Sequence, residues 1–172
     1  MERELTDDGM RSKYLAAIGE VAAMWSLFEA IIDTQSIKLV KLDPHAGVCF
    51  TAQIAGSARK LDAYISLAHL LKIPEALHND LKAFAGSVYD LGEKRNRIVH
   101  DVWVFDQFMQ AKRLQSTAKK TVVIKEVPVS DKEILDVSKQ IEKFIRRFEV
   151  LSKQVHSHEK GQPDTAPPGT PP

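Results

Sequence analysis

Apolar residues recur every three or four positions along four long segments of this chain, and that spacing constrains the fold more than any other feature. The segments are 10–42, 50–71, 74–100 and 130–155. Because an α-helix has 3.6 residues per turn, each segment would carry its apolar residues along one side. Such stripes are buried when helices pack against each other. We therefore expect an all-α fold, a helical bundle of about four long helices.

Residues at the segment ends support this division. Pro44 and Gly47 disfavour continuation of a helix and interrupt the pattern after residue 42. Pro74 suits the first turn of the third helix, where its missing N–H costs nothing. Ser130 and Glu133 have the spacing of a capping box, in which the glutamate reaches back to the N-cap residue. The fourth helix is therefore expected to begin directly after Ser130.

Between the third and fourth helices the pattern changes to two β-prone runs, 102–109 and 121–129. Both runs are rich in β-branched and aromatic residues. The basic segment 110–120 lies between them. We expect a small β-hairpin inserted between helices three and four, with segment 110–120 as its connection. Pro128 limits the second run to an edge or an ending strand.

Length and composition indicate one helical domain over residues 1–156 and a disordered tail rich in proline and glycine over residues 157–172. The N-terminus is charged, and no run is expected to approach the length that spans a bilayer. We expect a cytoplasmic protein that does not contact a membrane. Cys49 is the only cysteine, which excludes an internal disulfide framework and any zinc site built from several cysteines.

The charge is balanced overall and unbalanced locally. A net charge of +1 argues against a protein that coats duplex DNA. Seven cations face two anions between residues 94 and 120. The cations are Lys94, Arg95, Arg97, Lys112, Arg113, Lys119 and Lys120, and the anions are Asp101 and Asp106. Two interpretations remain open, a solvated hairpin surface and a surface that binds a polyanion such as RNA.

The segment 95–100 has the sequence R-N-R-I-V-H and carries the chemistry. It places a guanidinium (Arg95), an amide (Asn96) and an imidazole (His100) within about one and a half helical turns. Arginine binds phosphate, histidine moves protons near neutral pH, and asparagine orients a neighbour by hydrogen bonding. Arg95 continues the apolar stripe, which places it at an interior edge or a subunit interface. Asn96 and His100 share one helix face with Tyr89.

Other roles for these residues stay open. His100 also suits a helix C-terminus, where the carbonyl end of the macrodipole stabilises a cation. Arg97 has Glu93 and Asp101 four residues away on either side as surface ion-pair partners. His156 and His158 lie one residue apart without further ligands, so we expect no metal site there.

A third helix that ends in R-N-x-x-x-H, followed by a strand pair and a capped last helix, resembles the HEPN superfamily over about residues 10–155. The segment from Trp25 to Glu29 also looks like small bacterial members. Many members are metal-independent endoribonucleases, often toxins or defence effectors, that dimerise so that two copies of the motif face each other. Others keep the fold and serve as binding or scaffold modules.

The resemblance implies that Arg95 binds the scissile phosphate, that His100 is the general base or acid and that Asn96 orients. The basic residues Lys94, Arg97, Lys112, Arg113, Lys119 and Lys120 are candidates for RNA binding. Glu29 is a candidate supporting residue, because a carboxylate on a buried stripe needs a partner. The implied partners are a second copy of the chain, RNA, and an antitoxin or nucleotidyltransferase, and no cofactor is implied. A catalytically silent module that binds a partner protein or nucleotide is the alternative.

Overall fold

A computed structural model describes residues 2–106, 110–119 and 121–160. The helices in these residues are α1 Glu2–Leu39, α2 Pro44–Thr51, α3 Ser57–Leu70, α4 Glu75–His100 and α5 Asp131–Lys160. The strands are β1 Val102–Phe105, β2 Ala111–Lys119 and β3 Thr121–Pro128. The expected mainly α fold with a small antiparallel insertion between the last two long helices is confirmed. The number of helices and the form of the insertion differ from the expectation.

The helix expected over residues 50–71 is two helices, α2 and α3. Asp43 is the N-cap of α2 and accepts hydrogen bonds from the backbone N–H groups two and three residues further on, at 3.0 and 3.1 Å. Pro44 therefore starts a helix rather than only ending one. Gly56 precedes α3 with φ +83°, a conformation that glycine adopts at little cost. Phe50, the first apolar residue of the segment 50–71, lies in α2 and is 65% exposed, so it is not part of a buried stripe.

The first helix ends at Leu39, and not at Leu42 as expected, because the chain reverses at a left-handed residue. Lys41 has φ 53° and donates its N–H to the carbonyl of Lys38 at 3.2 Å. Leu42 donates to the carbonyl of Ile37, also at 3.2 Å. These two bonds form a Schellman motif. Glycine is the usual residue at this left-handed position and marks the end of a helix in a sequence. Lysine there costs about 1 kcal/mol and gives no such signal.

Gly47, which was expected to break a helix, lies inside α2 and permits a close approach. A Cβ at this position would meet the Ile37 side chain at 2.6 Å, a distance that real Cβ contacts do not show. Glycine is thus needed here for packing, and the helix tolerates its propensity cost of about 1 kcal/mol.

The segment expected to connect the hairpin is instead the central strand β2 of a three-stranded antiparallel sheet with the order β1-β2-β3. Arg113 is paired with Trp103 of β1 and with Val127 of β3. The strands β1 and β3, on either side of β2, supply the backbone hydrogen bonds that a central strand needs. Tyr14 packs against Trp103 and Phe105, with ring centroids 6.4 and 5.7 Å apart.

The capping box at the start of α5 is confirmed. Ser130 donates its backbone N–H and its hydroxyl to Oε2 of Glu133, at 2.7 and 2.8 Å, and Glu133 returns its N–H to the serine hydroxyl at 3.2 Å. The hydrogen bonds from the backbone and hydroxyl of Ser130 lower the pKa of Glu133, and the charge of Arg113 adds to that effect.

The chain divides into two compact units, and α1, α4 and α5 contribute to both. The first unit contains the chain up to Ile31 and the stretch Ser87–Ile145. Its buried apolar residues are Tyr14, Ala17, Val21, Trp25, Phe28, Val88, Leu91, Ile98, Ala111, Ile134, Val137, Ile141 and Ile145. The sheet and segment 95–100 both belong to this unit.

The second unit contains Ile32–Gly86 and the chain from Arg146 onward. Phe148 packs edge-on against Tyr64 and stacks on Phe84 in its core. Burial raises the pKa of the Tyr64 hydroxyl above its usual range. Lys60 pairs with Asp33 at the edge of this unit.

The described part of α5 continues to Lys160, so residues 157–160 of the expected tail are helical. Residues 161–172, the rest of that expected tail, lie outside the described residues. The part of α1 from Gly9 to Leu39 is long and apolar enough to cross a membrane, which corrects the expectation that no run approaches that length. Core helices of soluble proteins and N-terminal signal sequences have the same property, so the cytoplasmic location stays a prediction.

Candidate functional site

Arg95 lies in the last two turns of α4, on the apolar side of the helix. Leu91 and Ile98, one turn before and after it, are 2% and 6% exposed. Arg95 itself is half-buried, because its Nε atom is buried whereas its Nη1 atom contacts exposed residues. The apolar phase of the sequence correctly places this residue at the edge of the core.

The indole of Trp25 supports the guanidinium from α1. The Arg95 Cζ atom lies 5.9 Å from the centre of the Trp25 ring, within the range of a cation–π contact. Trp25 is 4% exposed and donates its Nε1–H to Oε1 of Glu29 at 3.2 Å. A Cβ at Gly92 would lie 3.4 Å from the Trp25 ring, so the glycine lets α4 sit close to the indole. The contacts from Glu29 to Trp25 and from Trp25 to Arg95 thus connect two helices of the first unit.

Arg95 also binds the two polar residues of its own motif. Its Nη1 donates to Oδ1 of Asn96 at 3.1 Å and to Nε2 of His100 at 3.2 Å. A guanidinium only donates, so Nε2 is the acceptor in this contact. Asn96 and His100 are both exposed. The arrangement presents a fixed cation, an amide and an imidazole at one place on the surface.

The end of α4 is tied to the sheet by a second set of contacts. Trp103 donates its Nε1–H to the carbonyl of Ile98 at 2.8 Å. Arg113 donates to one carboxylate oxygen of Asp101 at 2.7 Å, and Arg97 lies 3.7 Å from the other. The side chains of Arg113 and Asp101 are 15% and 12% exposed, so this ion pair is largely buried.

These contacts separate the candidate RNA-binding residues into groups. Lys94 is exposed, whereas Arg97 and Arg113 share Asp101. Lys112 pairs with Glu126 across the sheet at 3.2 Å. The side chain of Lys119 and the whole of Lys120 lie outside the described residues, so their placement stays a prediction.

Sequence reasoning named the three motif residues and Glu29 as candidates but gave Trp25 no role beyond the apolar stripe. The partner of Glu29 is the indole N–H of Trp25, one turn earlier, rather than a lysine or a backbone group. The available signal was the combination of Trp25 and Glu29 at i, i+4 with Gly92 three residues before Arg95. Its meaning depends on how α1 and α4 pair within the first unit, which helical periodicity alone does not fix.

The cluster of Arg95, Asn96 and His100 has the groups that phosphate binding and proton transfer require. Within the described ranges, no three His, Cys, Asp or Glu side chains are grouped so as to hold a metal ion. Comparison of the chain with models of protein families, with curated proteins and with solved structures gives no match.

Proposed function

We propose that this chain is a metal-independent endoribonuclease whose active site is completed by a second copy of the chain. The observation that carries this proposal is the Arg95 Nη1 atom, which donates to both Asn96 and His100 at the protein surface. A permanent cation that touches a proton-transfer group is the pairing that phosphodiester cleavage needs. The resemblance to HEPN nucleases points to the same chemistry.

Substrate binding would rearrange the contacts of Arg95. A phosphate oxygen carries negative charge and is a stronger acceptor for a guanidinium than a neutral imidazole. The scissile phosphate would therefore take over Arg95, and Nε2 of His100 would be released beside it. The imidazole then removes the proton of the RNA 2′-hydroxyl, and Asn96 helps to keep the groups aligned.

The reaction that follows is an internal transfer. The 2′-oxygen forms a bond to phosphorus and the bond from phosphorus to the 5′-oxygen breaks, which leaves a 2′,3′-cyclic phosphate and a 5′-hydroxyl. Arg95 stabilises the negative charge that builds on the phosphorane oxygens. The leaving 5′-oxygen takes up a proton from an acid. Each motif supplies one histidine, so a two-fold pair of chains would supply both the base and the acid.

The exposed face of α4 supports a dimer at this position. Tyr89 lies on the same face as Asn96 and His100, and its side chain is 61% exposed. A large exposed aromatic residue beside a polar cluster is typical of an interface. The space beside Gly92 is occupied by Trp25 of the same chain, so this glycine is no evidence for a partner helix. A Cβ added at Gly86 would meet no atom within 4 Å, so a partner helix has room to approach there.

The proposal is tested by incubating the purified full-length protein with varied single-stranded and structured RNAs in EDTA. We expect cleavage with 5′-hydroxyl and cyclic-phosphate ends. His100→Ala should lower the rate about 10²-fold or more, because general acid–base catalysis is worth that much. His45→Ala is the matched control, since His45 is an exposed histidine in α2. Equal, low RNA loss by wild type and His100→Ala, with both folded, would refute the nuclease and favour a binding or scaffold module.

Regulation by a partner belongs to the same proposal. An active ribonuclease would degrade the RNA of its own cell, so a toxin or defence effector of this kind needs an inhibitor or modifier. An antitoxin that covers Arg95 and His100, or a nucleotidyltransferase that modifies the chain, would meet this need. Pull-down with the products of adjacent genes tests it, and unaltered activity in their presence would contradict it.

A further inference from the structure

A cleft of about 480 Å³ lies in the first unit, beside the last turns of α4. Polar and charged side chains make up about half of its lining, and they are Glu93, Lys94, Arg97, Arg113, Gln115 and Glu133. Val127 and Val129 and, from α5, Val137 provide an apolar wall on part of the cleft. The volume lies within the range of small-molecule sites and suits a ligand that is itself part polar and part apolar.

The charged groups in and around the cleft are not equivalent. The carboxylate of Glu133 is held by the Ser130 cap, and Arg113 is held by Asp101. Glu93 is exposed at the rim. Lys94 is exposed, and the Arg97 side chain is 37% exposed with only a 3.7 Å contact to Asp101. Lys94 and Arg97 can therefore turn to an anionic ligand at small cost, while Glu133 and the largely buried Arg113 are held by their partners.

The cleft adjoins the motif along the helix. Lys94 directly precedes Arg95, and Arg97 lies between Asn96 and His100. Successive residues of a helix turn by about 100° and rise 1.5 Å, so the two sets occupy neighbouring faces of the same two turns. A ligand that extends from Arg95 and His100 around α4 would next meet Arg97 and Lys94.

We infer that this cleft binds one nucleotide of the RNA next to the cleaved bond, an inference that rests on the proposed nuclease function. Lys94 and Arg97 hold the phosphate of that nucleotide. Its base lies against the valine side chains 127, 129 and 137, where an apolar wall excludes water. The amide of Gln115 can both donate and accept, so it reads the edge of the base. The cleft thus sets which nucleotide flanks the cleavage position.

The test uses the four ribonucleoside 5′-monophosphates, which bind without being cleaved. Each is titrated into the full-length protein, with amide chemical shifts as the readout. We expect saturable binding, with shifts in β2, β3 and the end of α4, and affinities that differ among the four bases. Lys94→Ala should weaken all four by about tenfold or more, the effect of one charge-assisted hydrogen bond. Gln115→Ala should reduce the differences among the bases.

Matched controls are Lys82→Ala, an exposed lysine earlier on α4, and Gln154→Ala, an exposed glutamine of α5. Both should bind as wild type does, and thermal melting shows that each variant folds. Absence of saturable binding, or equal affinities in cleft and control variants, overturns the inference even if RNA is cleaved. Binding that is lost only in the cleft variants supports the nucleotide cleft even if His100→Ala shows that the protein does not cleave RNA.

Discussion

Nη1 of Arg95 lies 3.2 Å from Nε2 of His100, so the cation and the imidazole touch before any substrate is present. In the proposed reaction a phosphate oxygen would replace the imidazole as an acceptor of Arg95, and the cation and the imidazole would already lie side by side. Preorganisation of this kind is the main source of electrostatic catalysis.

The shape of the Arg95 guanidinium should matter as well as its charge. Arg95→Lys keeps one positive charge but loses the planar fork that contacts Asn96 and His100 together. We expect kcat for RNA cleavage to fall about 10²-fold in Arg95→Lys and in Arg95→Ala alike. Arg59→Lys, at an exposed position of α3, is the control. Substantial activity in Arg95→Lys would show that a point charge suffices.

Trp25 should act as a positioning residue through Arg95. Trp25→Phe keeps an aromatic ring beneath the guanidinium but removes the N–H that binds Glu29. A weakened cation–π contact of about 1 kcal/mol would lower kcat about fivefold, with KM little changed. Trp25→Leu should lower kcat further and also lower the melting temperature. If Trp25 only fills the core, kcat of the folded variants would equal that of wild type.

Glu29 should show its role by rescue. Glu29→Gln keeps an oxygen that accepts from the Trp25 indole, so stability and kcat should stay near wild type. Glu29→Ala leaves an indole N–H without its partner in a residue that is 4% exposed. The free energy of unfolding should then fall by about 1–3 kcal/mol. Denaturant titration measures it, and identical losses in both variants would refute this role.

Asp101 should contribute more to stability than the exposed ion pair between Lys112 and Glu126 of the sheet. Asp101→Ala removes the partner of Arg113, whose side chain is only 15% exposed. We expect this variant to lose about 3 kcal/mol of unfolding free energy. Lys112→Ala, which breaks the pair with the 62% exposed Glu126, should change it by less than about 0.5 kcal/mol. Similar losses in the two variants would contradict the difference in burial.

The capping box should give a pH-dependent part of the stability. The pKa of Glu133 is lower in the folded chain than in the unfolded chain. Its contribution to stability is therefore complete at a pH above the unfolded-state pKa and is lost as the pH falls through the folded-state pKa. Ser130→Ala should cost about 1 kcal/mol at neutral pH and less in acid. Urea titrations at several pH values measure this. A gap between wild type and variant that grows in acid would contradict the sign.

Some parts of this fold follow from periodicity alone. The stripe through Leu81, Val88, Leu91 and Ile98 is buried as its spacing predicts. The capping box at Ser130 is equally local, because all its atoms lie within four residues.

Other parts depend on contacts that are distant in sequence. Segment 110–120 looks like a basic loop, and β2 forms there because β1 and β3 pair with it on both sides. The role of Trp25 likewise appears only once α1 meets α4 beside Gly92. Membership of the HEPN superfamily and the RNA-cleaving activity stay predictions.

The hydrogen bond from Trp103 to the carbonyl of Ile98 ties the last turn of α4 to β1. The last turn of a helix usually opens at a much lower free energy than the whole protein unfolds, because its last carbonyls lack partners. Here one of those carbonyls is held by a strand that is itself paired to β2. The amides around His100 should therefore exchange with solvent as slowly as those of the sheet, which would keep the imidazole in place beside Arg95.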